Sequence, residues 1–105
     1  MSAVLLAILA LLISSPASAQ QDPRAQRGRV FVQTHCAQCH STGPAGPSPL
    51  AVAPPFRDLH KSYPVESLAE SLAEGIVTGH PTMPQSTLDP GQIGDVIAYL
   101  KTLER

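Results

Sequence analysis

Cys36, Cys39 and His40 form a Cys-x-x-Cys-His run, and residues of these types can ligate a metal, exchange thiols or bond to a prosthetic group. A zinc site would lack a second cysteine pair, because the chain has only 2 cysteines, and a thioredoxin-type site would lack its βαβ context. A histidine directly after the second cysteine is the attachment pattern of a c-type haem, whose vinyl groups bond to both thiols. We therefore predict one covalent haem c, with a copper or zinc protein that also uses Met83 as an alternative.

The iron of such a haem needs axial ligands, and His40 is expected to be the first, through its Nε2. Its Nδ1 then needs an acceptor, which a backbone carbonyl of the following proline-rich loop can supply. The candidates for the sixth ligand are Met83, His35, His60 and His80. We favour Met83 because prolines on either side stiffen its segment, as a weakly bound thioether requires. His80 is the main alternative, while His35 is assigned to the surface or to packing and His60 to an exposed polar stretch.

Three helices are predicted to position these residues. The first begins after the N-cap Asp22, with Pro23 at its first position, and runs toward Cys36. The second covers residues 64–76, whose apolar side chains recur at helical spacing. The last follows a capping box at residues 89–92, and its apolar face comprises Ile93, Val96, Ile97, Leu100 and Leu103. No segment alternates with period two, so the chain is predicted to be all-α.

Residues 41–55 contain prolines at positions 44, 47, 49, 54 and 55, which exclude a regular helix or strand. A stretch of this composition is usually a flexible linker. Because it directly follows the attachment run in a small domain, we predict instead an ordered loop that wraps the haem on the His40 side.

The N-terminal segment has the pattern of a secretory signal peptide. Residues 3–13 are uninterruptedly apolar but too few to span a bilayer, which takes about 20. An Ala-Ser-Ala cleavage site follows at residues 17–19. We predict a signal peptide at 1–19, a mature domain at 20–105 and a periplasmic location. The first two residues carry no Lys or Arg, so an uncleaved anchor, and with it membrane association, is the alternative.

Charge and size limit the classes of function. Seven Lys and Arg against 8 Asp and Glu give a net charge of −1, and no basic block suggests nucleic-acid binding. The mature domain has about 86 residues, with 2 Tyr, 2 Phe and no Trp, so it can bury little apolar surface by itself. We expect the haem to complete the core and the haem-free chain to fold poorly.

The chain resembles the class I cytochromes c, a monohaem family with an N-terminal attachment run and a methionine near the C-terminal helix. The residues that carry the resemblance are the Cys-x-x-Cys-His run, Gly28 before it, the Pro-Phe step at Phe56, the Thr-Met-Pro segment at Met83, and Asp-Val-Ile-Ala-Tyr-Leu-Lys at 95–101. The resemblance implies an all-α, cytochrome c-like fold, with three main helices and a proline-rich loop around one covalently bound haem.

The same resemblance implies roles in the haem environment. The carbonyl of Pro54 would accept a hydrogen bond from the Nδ1–H of His40, with the prolines at 55 and 47 as alternative acceptors. Phe56 would pack on the haem, and Met83 would be the distal ligand. Gly28 would let the first helix cross the last closely, against Val96 and Tyr99.

The function implied by the resemblance is transfer of single electrons between redox proteins during brief docking. The chain is then not an enzyme, because histidine and methionine ligands leave the iron no open position for a substrate. The alternatives are a haem-bearing subunit of a periplasmic dehydrogenase or oxidase, and a haem sensor or enzyme with a labile sixth ligand.

Overall fold

The computed structural model describes residues 22–75, 83–84 and 87–105, and all regular structure within them is helical. Helix α1 covers Pro23–His35, a 3₁₀ helix covers Phe56–Lys61, α2 covers Leu68–Glu74 after a 3₁₀ turn at Val65–Ser67, and α3 covers Pro90–Thr102. The predicted signal peptide and His80 lie outside the described residues. None of the helices described here is long and apolar enough to cross a bilayer.

The two long helices begin where the sequence predicts, and side-chain caps fix both starts. At α1, Asp22 Oδ1 accepts from the backbone N–H of Arg24 at 2.9 Å. At α3, Asp89 Oδ1 accepts from Gln92 N at 2.8 Å, and Gln92 Oε1 accepts from Asp89 N at 3.1 Å. These bonds satisfy donors that the first turn of a helix leaves unpaired, so each start is determined locally.

The second helix is shorter than predicted. The prediction of one helix over 64–76 is wrong at its start, where Val65–Ser67 is a 3₁₀ turn. The α-helix ends at Glu74, because Gly75 has φ 94°, a left-handed conformation that glycine adopts without a steric penalty. Ile76, the last residue of the predicted apolar face, lies outside the described residues.

Helices α1 and α3 cross in direct backbone contact at Gly28. A Cβ placed on Gly28 would lie 1.9 Å from the carbonyl oxygen of Asp95 and 2.9 Å from the Cβ of Tyr99. The resemblance implied Val96 and Tyr99 as neighbours, and the structure brings Asp95 and Tyr99 against the glycine. An ion pair spans the same crossing, with Arg27 Nε 3.0 Å from one carboxylate oxygen of Asp95 and Nη2 3.1 Å from the other.

The core is built around this crossing and is small. Its buried members are Val32, Val65, Leu88, Ile93, Val96, Tyr99, Leu100 and Leu103. Of the described side chains, only Val32 and Val65 are less than 2% exposed. Phe31, Cys36, Phe56 and Leu59 pack against the cluster as partly buried side chains. The apolar face of α3 therefore lies inward as predicted, although Ile97 is only partly buried and Tyr99 joins the buried set.

We predict that Gly28→Ala destabilises the holoprotein by about 2 kcal/mol or more, because the added methyl group meets backbone atoms that cannot move aside. Alanine would gain about 1 kcal/mol of helix propensity at this position, which is less than the cost of the overlap. The measurement is the free energy of unfolding in guanidinium chloride.

Gly94→Ala in α3 is the matched control, because nothing lies within 4 Å of a Cβ at Gly94. This variant should be as stable as the parent or more stable by up to about 1 kcal/mol. Equal stability of the two variants would contradict the close crossing.

Candidate functional site

The attachment run forms a turn at the C-terminal end of α1. The backbone N–H groups of Cys36 and Ala37 both donate to Val32 O, at 2.8 and 3.0 Å. Those of Cys39 and His40 both donate to Cys36 O, at 3.2 and 3.0 Å. The helix therefore continues into a tight turn, which places both cysteines and the histidine on one short rigid segment.

The two cysteines are not joined by a disulfide, and both are partly buried. Burial raises the pKa of the Cys36 thiol to about 11. A thiol with a raised pKa lacks the low pKa that a thioredoxin-type nucleophile needs. Among the described residues no three His, Cys, Asp or Glu side chains lie close enough together to hold a metal ion.

The ring of His40 is held on two sides. Its Nδ1 lies 2.8 Å from the carbonyl oxygen of Pro54, which makes Nδ1 the donor and fixes the tautomer. The ring of Phe56 lies against it, with centroids 4.7 Å apart and planes tilted by 37°. The Nε2 atom is left as the ring's acceptor and is oriented by the hydrogen bond at the opposite nitrogen. Such a histidine suits an axial iron ligand, so these residues fit a haem c.

The proline-rich loop is ordered, as predicted, and its hydrogen bonds converge on Ser41. The Ser41 N–H donates to Ser48 Oγ at 3.0 Å, and Ser41 O accepts from Phe56 N at 2.9 Å. Its hydroxyl donates to Ala45 O at 3.4 Å and accepts from Arg57 Nη1 at 3.0 Å. Ser41 is 8% exposed. A buried serine with all its polar groups bonded ties the start of the loop to its end.

A second bond ties the loop to α3. The hydroxyl of Tyr99 donates to Thr42 O, and both residues are buried. Burial also raises the pKa of Tyr99, since the phenolate form would lose its hydration. Leu50 N donates to Cys39 O at 3.0 Å, so the middle of the loop contacts the cysteine turn as well. The helix crossing and the loop are thereby joined into one structure.

Met83 lies in a bend and is partly buried. Further along the chain, Leu88 N donates to Leu72 O at 2.8 Å, which holds the segment before α3 against α2. The chemistry of the thioether and the resemblance support Met83 as a ligand, and its role remains a proposal.

The other histidines differ in their surroundings. His35 is exposed and its ring contacts Phe31, with centroids 4.5 Å apart, which agrees with the expected surface or packing role. His60 was expected to be exposed, and this expectation is wrong. It is partly buried, and its Nδ1 is shut off from solvent without a hydrogen-bond partner among the described residues. The cause is the 3₁₀ helix at Phe56–Lys61, which winds a polar stretch back toward the core.

Three residues that shape the site were not predicted from the sequence: Ser41, Arg57 and Thr42. A signal for Arg57 was present, because no Asp, Glu, Lys or Arg lies between Arg29 and Arg57. A single cation at the end of a long uncharged stretch is well placed to bond to backbone carbonyls of that stretch. For Ser41 and Thr42, the sequence gives no indication of a role in the site except that they directly follow the attachment run.

Comparison with known proteins gives two matches. The family model for cytochrome c matches residues 25–104. A protein described as cytochrome c-553-like, from Synechocystis sp., is 34% identical over 83 residues, which cover 75% of this chain and 69% of that protein. No solved structure matches the chain. The residues matched by the family model run from α1 through the loop to the end of α3.

We predict that Tyr99→Phe lowers the free energy of unfolding of the holoprotein by about 1 to 2 kcal/mol at pH 7, because it leaves the buried carbonyl of Thr42 without its donor. The pH dependence has a definite sign. Burial raises the pKa of Tyr99 in the folded protein, so its contribution is complete below the ordinary tyrosine value and is lost as the pH rises through the folded one. The difference between parent and variant should therefore shrink in strongly alkaline solution.

Tyr63→Phe is the control, because burial raises the pKa of Tyr63 in the same direction while its side chain is more exposed. Chemical unfolding at several pH values checks both variants. A Tyr99→Phe protein as stable as Tyr63→Phe at pH 7 would show that the bond to Thr42 contributes nothing.

Proposed function

The chain belongs to the cytochrome c family and is a haem-bearing electron carrier, and from that premise we propose that it carries single electrons between periplasmic redox proteins. The observation that carries the proposal is the 2.8 Å contact between His40 Nδ1 and Pro54 O, directly after the attachment cysteines. This bond leaves Nε2 oriented for an axial bond to iron, and an electron carrier needs the orientation of that ligand to stay fixed.

We further propose that Cys36 and Cys39 hold the haem by thioether bonds and that His40 and Met83 are its axial ligands. The haem supplies iron that cycles between the ferric and ferrous states. The residues of the chain orient the iron ligands and set the potential. Pro54 keeps the His40 ring in one tautomer, Phe56 limits its rotation, and a methionine ligand favours the ferrous state and raises the potential.

Two ligands contributed by the chain would leave no coordination position for a substrate, and for this reason we propose a carrier and not an enzyme. Its partners are redox proteins that dock briefly through small interfaces. The apolar run and the Ala-Ser-Ala site support a signal peptide at 1–19, a haem domain at 20–105 and a periplasmic location. Membrane association is proposed only for a chain that keeps its leader.

We predict that the ferric holoprotein has a low-spin optical spectrum with the weak far-red band of methionine-ligated iron, and that Met83→Ala abolishes this band. The reason is that Met83 is the only methionine of the proposed mature chain. The measurement is the visible spectrum of protein made with haem-maturation machinery. His80→Ala is the control and should keep the band.

A low-spin parent that lacks the far-red band, with a spectrum that is unchanged in Met83→Ala and turns high-spin in His80→Ala, would transfer the sixth position to His80. A high-spin parent, or one that binds carbon monoxide tightly without denaturation, would support the sensor or enzyme alternative. Co-purification with a large partner would instead support the subunit of a dehydrogenase or oxidase.

We also predict that the haem-free chain, made as the Cys36→Ala, Cys39→Ala double variant, lacks a cooperative thermal transition. The physical reason is the small core, in which Val32 and Val65 are the only described side chains below 2% exposure. Far-ultraviolet circular dichroism during heating is the measurement, with the parent holoprotein as reference. A sharp melting transition in the haem-free variant would show that the helices and loop are sufficient.

A further inference from the structure

We propose that Arg57 is a positioning residue for the iron ligand His40. Its guanidinium fixes the loop 41–55 so that the carbonyl of Pro54 stays on the Nδ1–H of His40. The inference rests on the proposed function in one respect, the ligation of iron by His40. The role of Arg57 is to hold that ligand in its orientation.

Arg57 contacts the loop at two points. Its Nη1 donates to Ser41 Oγ at 3.0 Å and to the carbonyl oxygen of Gly46 at 2.7 Å. Hydrogen bonds from a charged donor are roughly twice as strong as neutral ones. Arg57 Nη1 therefore connects the start of the loop and its middle to Arg57, which lies just after the end of the loop.

At the returning end of the loop, the last backbone donor before Pro54 is Ala53 N, which bonds to Leu50 O at 2.9 Å. Pro54 and Pro55 carry no backbone N–H, so neither can donate a hydrogen bond that would hold the Pro54 carbonyl in place. The next donors along the chain are Phe56 N, which bonds to Ser41 O at 2.9 Å, and the side chain of Arg57.

Both of these donors hold the residue next to the ligand. Ser41 directly follows His40, and it receives Phe56 N on its carbonyl and Arg57 Nη1 on its hydroxyl. The segment 40–41 and the segment 54–57 thus lie side by side, and the contact from His40 Nδ1 to Pro54 O joins the same two segments. Loss of the Arg57 bonds weakens the contact between these two segments and leaves Gly46 O without its donor.

The charge of Arg57 is directed at the loop. It belongs to none of the ion pairs formed by the described residues, which join Arg24, Arg27, Lys61 and Lys101 to carboxylates. No other charged side chain occurs in the sequence between Arg29 and Arg57. The cation therefore stabilises a partly buried network of hydrogen bonds around Ser41.

The consequence for the iron comes from the bond at Nδ1. An acceptor at this nitrogen makes the imidazole a stronger electron donor to a metal at Nε2 and so favours the ferric state. A looser Pro54 carbonyl weakens that donation. The midpoint potential should then become more positive, and the Nδ1–H proton should become more accessible to water.

The test compares Arg57→Met with Lys61→Met in the ferrous holoprotein. Both substitutions remove one positive charge from the same 3₁₀ helix, but Lys61 pairs with Asp58, at 2.8 Å, and not with the loop. The readouts are the deuterium exchange rate of the His40 Nδ1–H, followed by NMR, and the midpoint potential. We expect exchange to become about tenfold faster or more in Arg57→Met, the effect of losing hydrogen bonds from a charged donor. Lys61→Met should match the parent.

Arg57→Lys separates positioning from packing. Both bonds come from one nitrogen, and a lysine ammonium has three donors, so this variant should recover part of the slow exchange and of the potential. If Arg57→Met does not take up haem, Ser41→Ala removes the hydroxyl that Arg57 binds and leaves the backbone bonds of Ser41 intact. The inference is overturned if neither variant accelerates exchange relative to Lys61→Met.

A failure of the proposed function can be told apart from a failure of the positioning role of Arg57. The ring protons of His40 in the parent protein must show the large shifts of an axial ligand. Their absence would refute ligation by His40 before any variant is made, whereas normal shifts with unchanged exchange in the Arg57 and Ser41 variants would refute only the positioning role.

Discussion

Helices α1 and α3 touch backbone to backbone at Gly28, and the rest of the described structure depends on this contact. It fixes the axis of α1, and therefore the direction in which the chain leaves that helix through the cysteine turn. It also brings Tyr99 beneath the loop, where its hydroxyl reaches Thr42 O. A larger residue at position 28 would separate the helices and disturb the core, the turn and this bond together. One residue without a side chain thus sets the geometry of several distant parts.

The loop provides a second level of organisation, made of hydrogen bonds where the helices use apolar packing. Its five prolines restrict the backbone but cannot donate hydrogen bonds, so its shape has to be specified by the few donors that remain. Ser41 and Arg57 donate four hydrogen bonds to the loop, and Leu50 N and Ala53 N donate two more within or from it. Gly46 contributes a positive φ of 92°, which turns the chain at the point where its carbonyl meets the guanidinium. The prolines therefore make the backbone of the loop rigid, whereas the hydrogen-bond donors determine which conformation the loop adopts.

Sequence reasoning succeeded where the cause of a structure is local. The caps at Asp22 and Asp89 and the apolar face of α3 are encoded by neighbouring residues, and the structure confirms them. The crossing at Gly28 joins distant residues, and it was expected from the resemblance. Sequence reasoning failed where the cause is a contact between distant residues. Nothing near His60 in the sequence indicates a 3₁₀ helix that turns it inward, and nothing near Ser41 indicates that Arg57 will bind its hydroxyl. The end of α2 was misjudged because an apolar spacing continued past a glycine that stops the helix.

The crossing also has a consequence for how the chain reaches this structure. Arg27 and Asp95, which pair across it, are 68 residues apart in the sequence. Closing a loop of this length carries an entropic cost, and the contact between α1 and α3 is one of the long-range pairs that slow folding. Because Asp95 follows Arg27 by 68 residues, the crossing cannot form on a polypeptide whose synthesis has not yet passed residue 95. Until then Cys36 lacks most of the core cluster against which it packs in the complete fold, so its thiol is more accessible than in the finished protein.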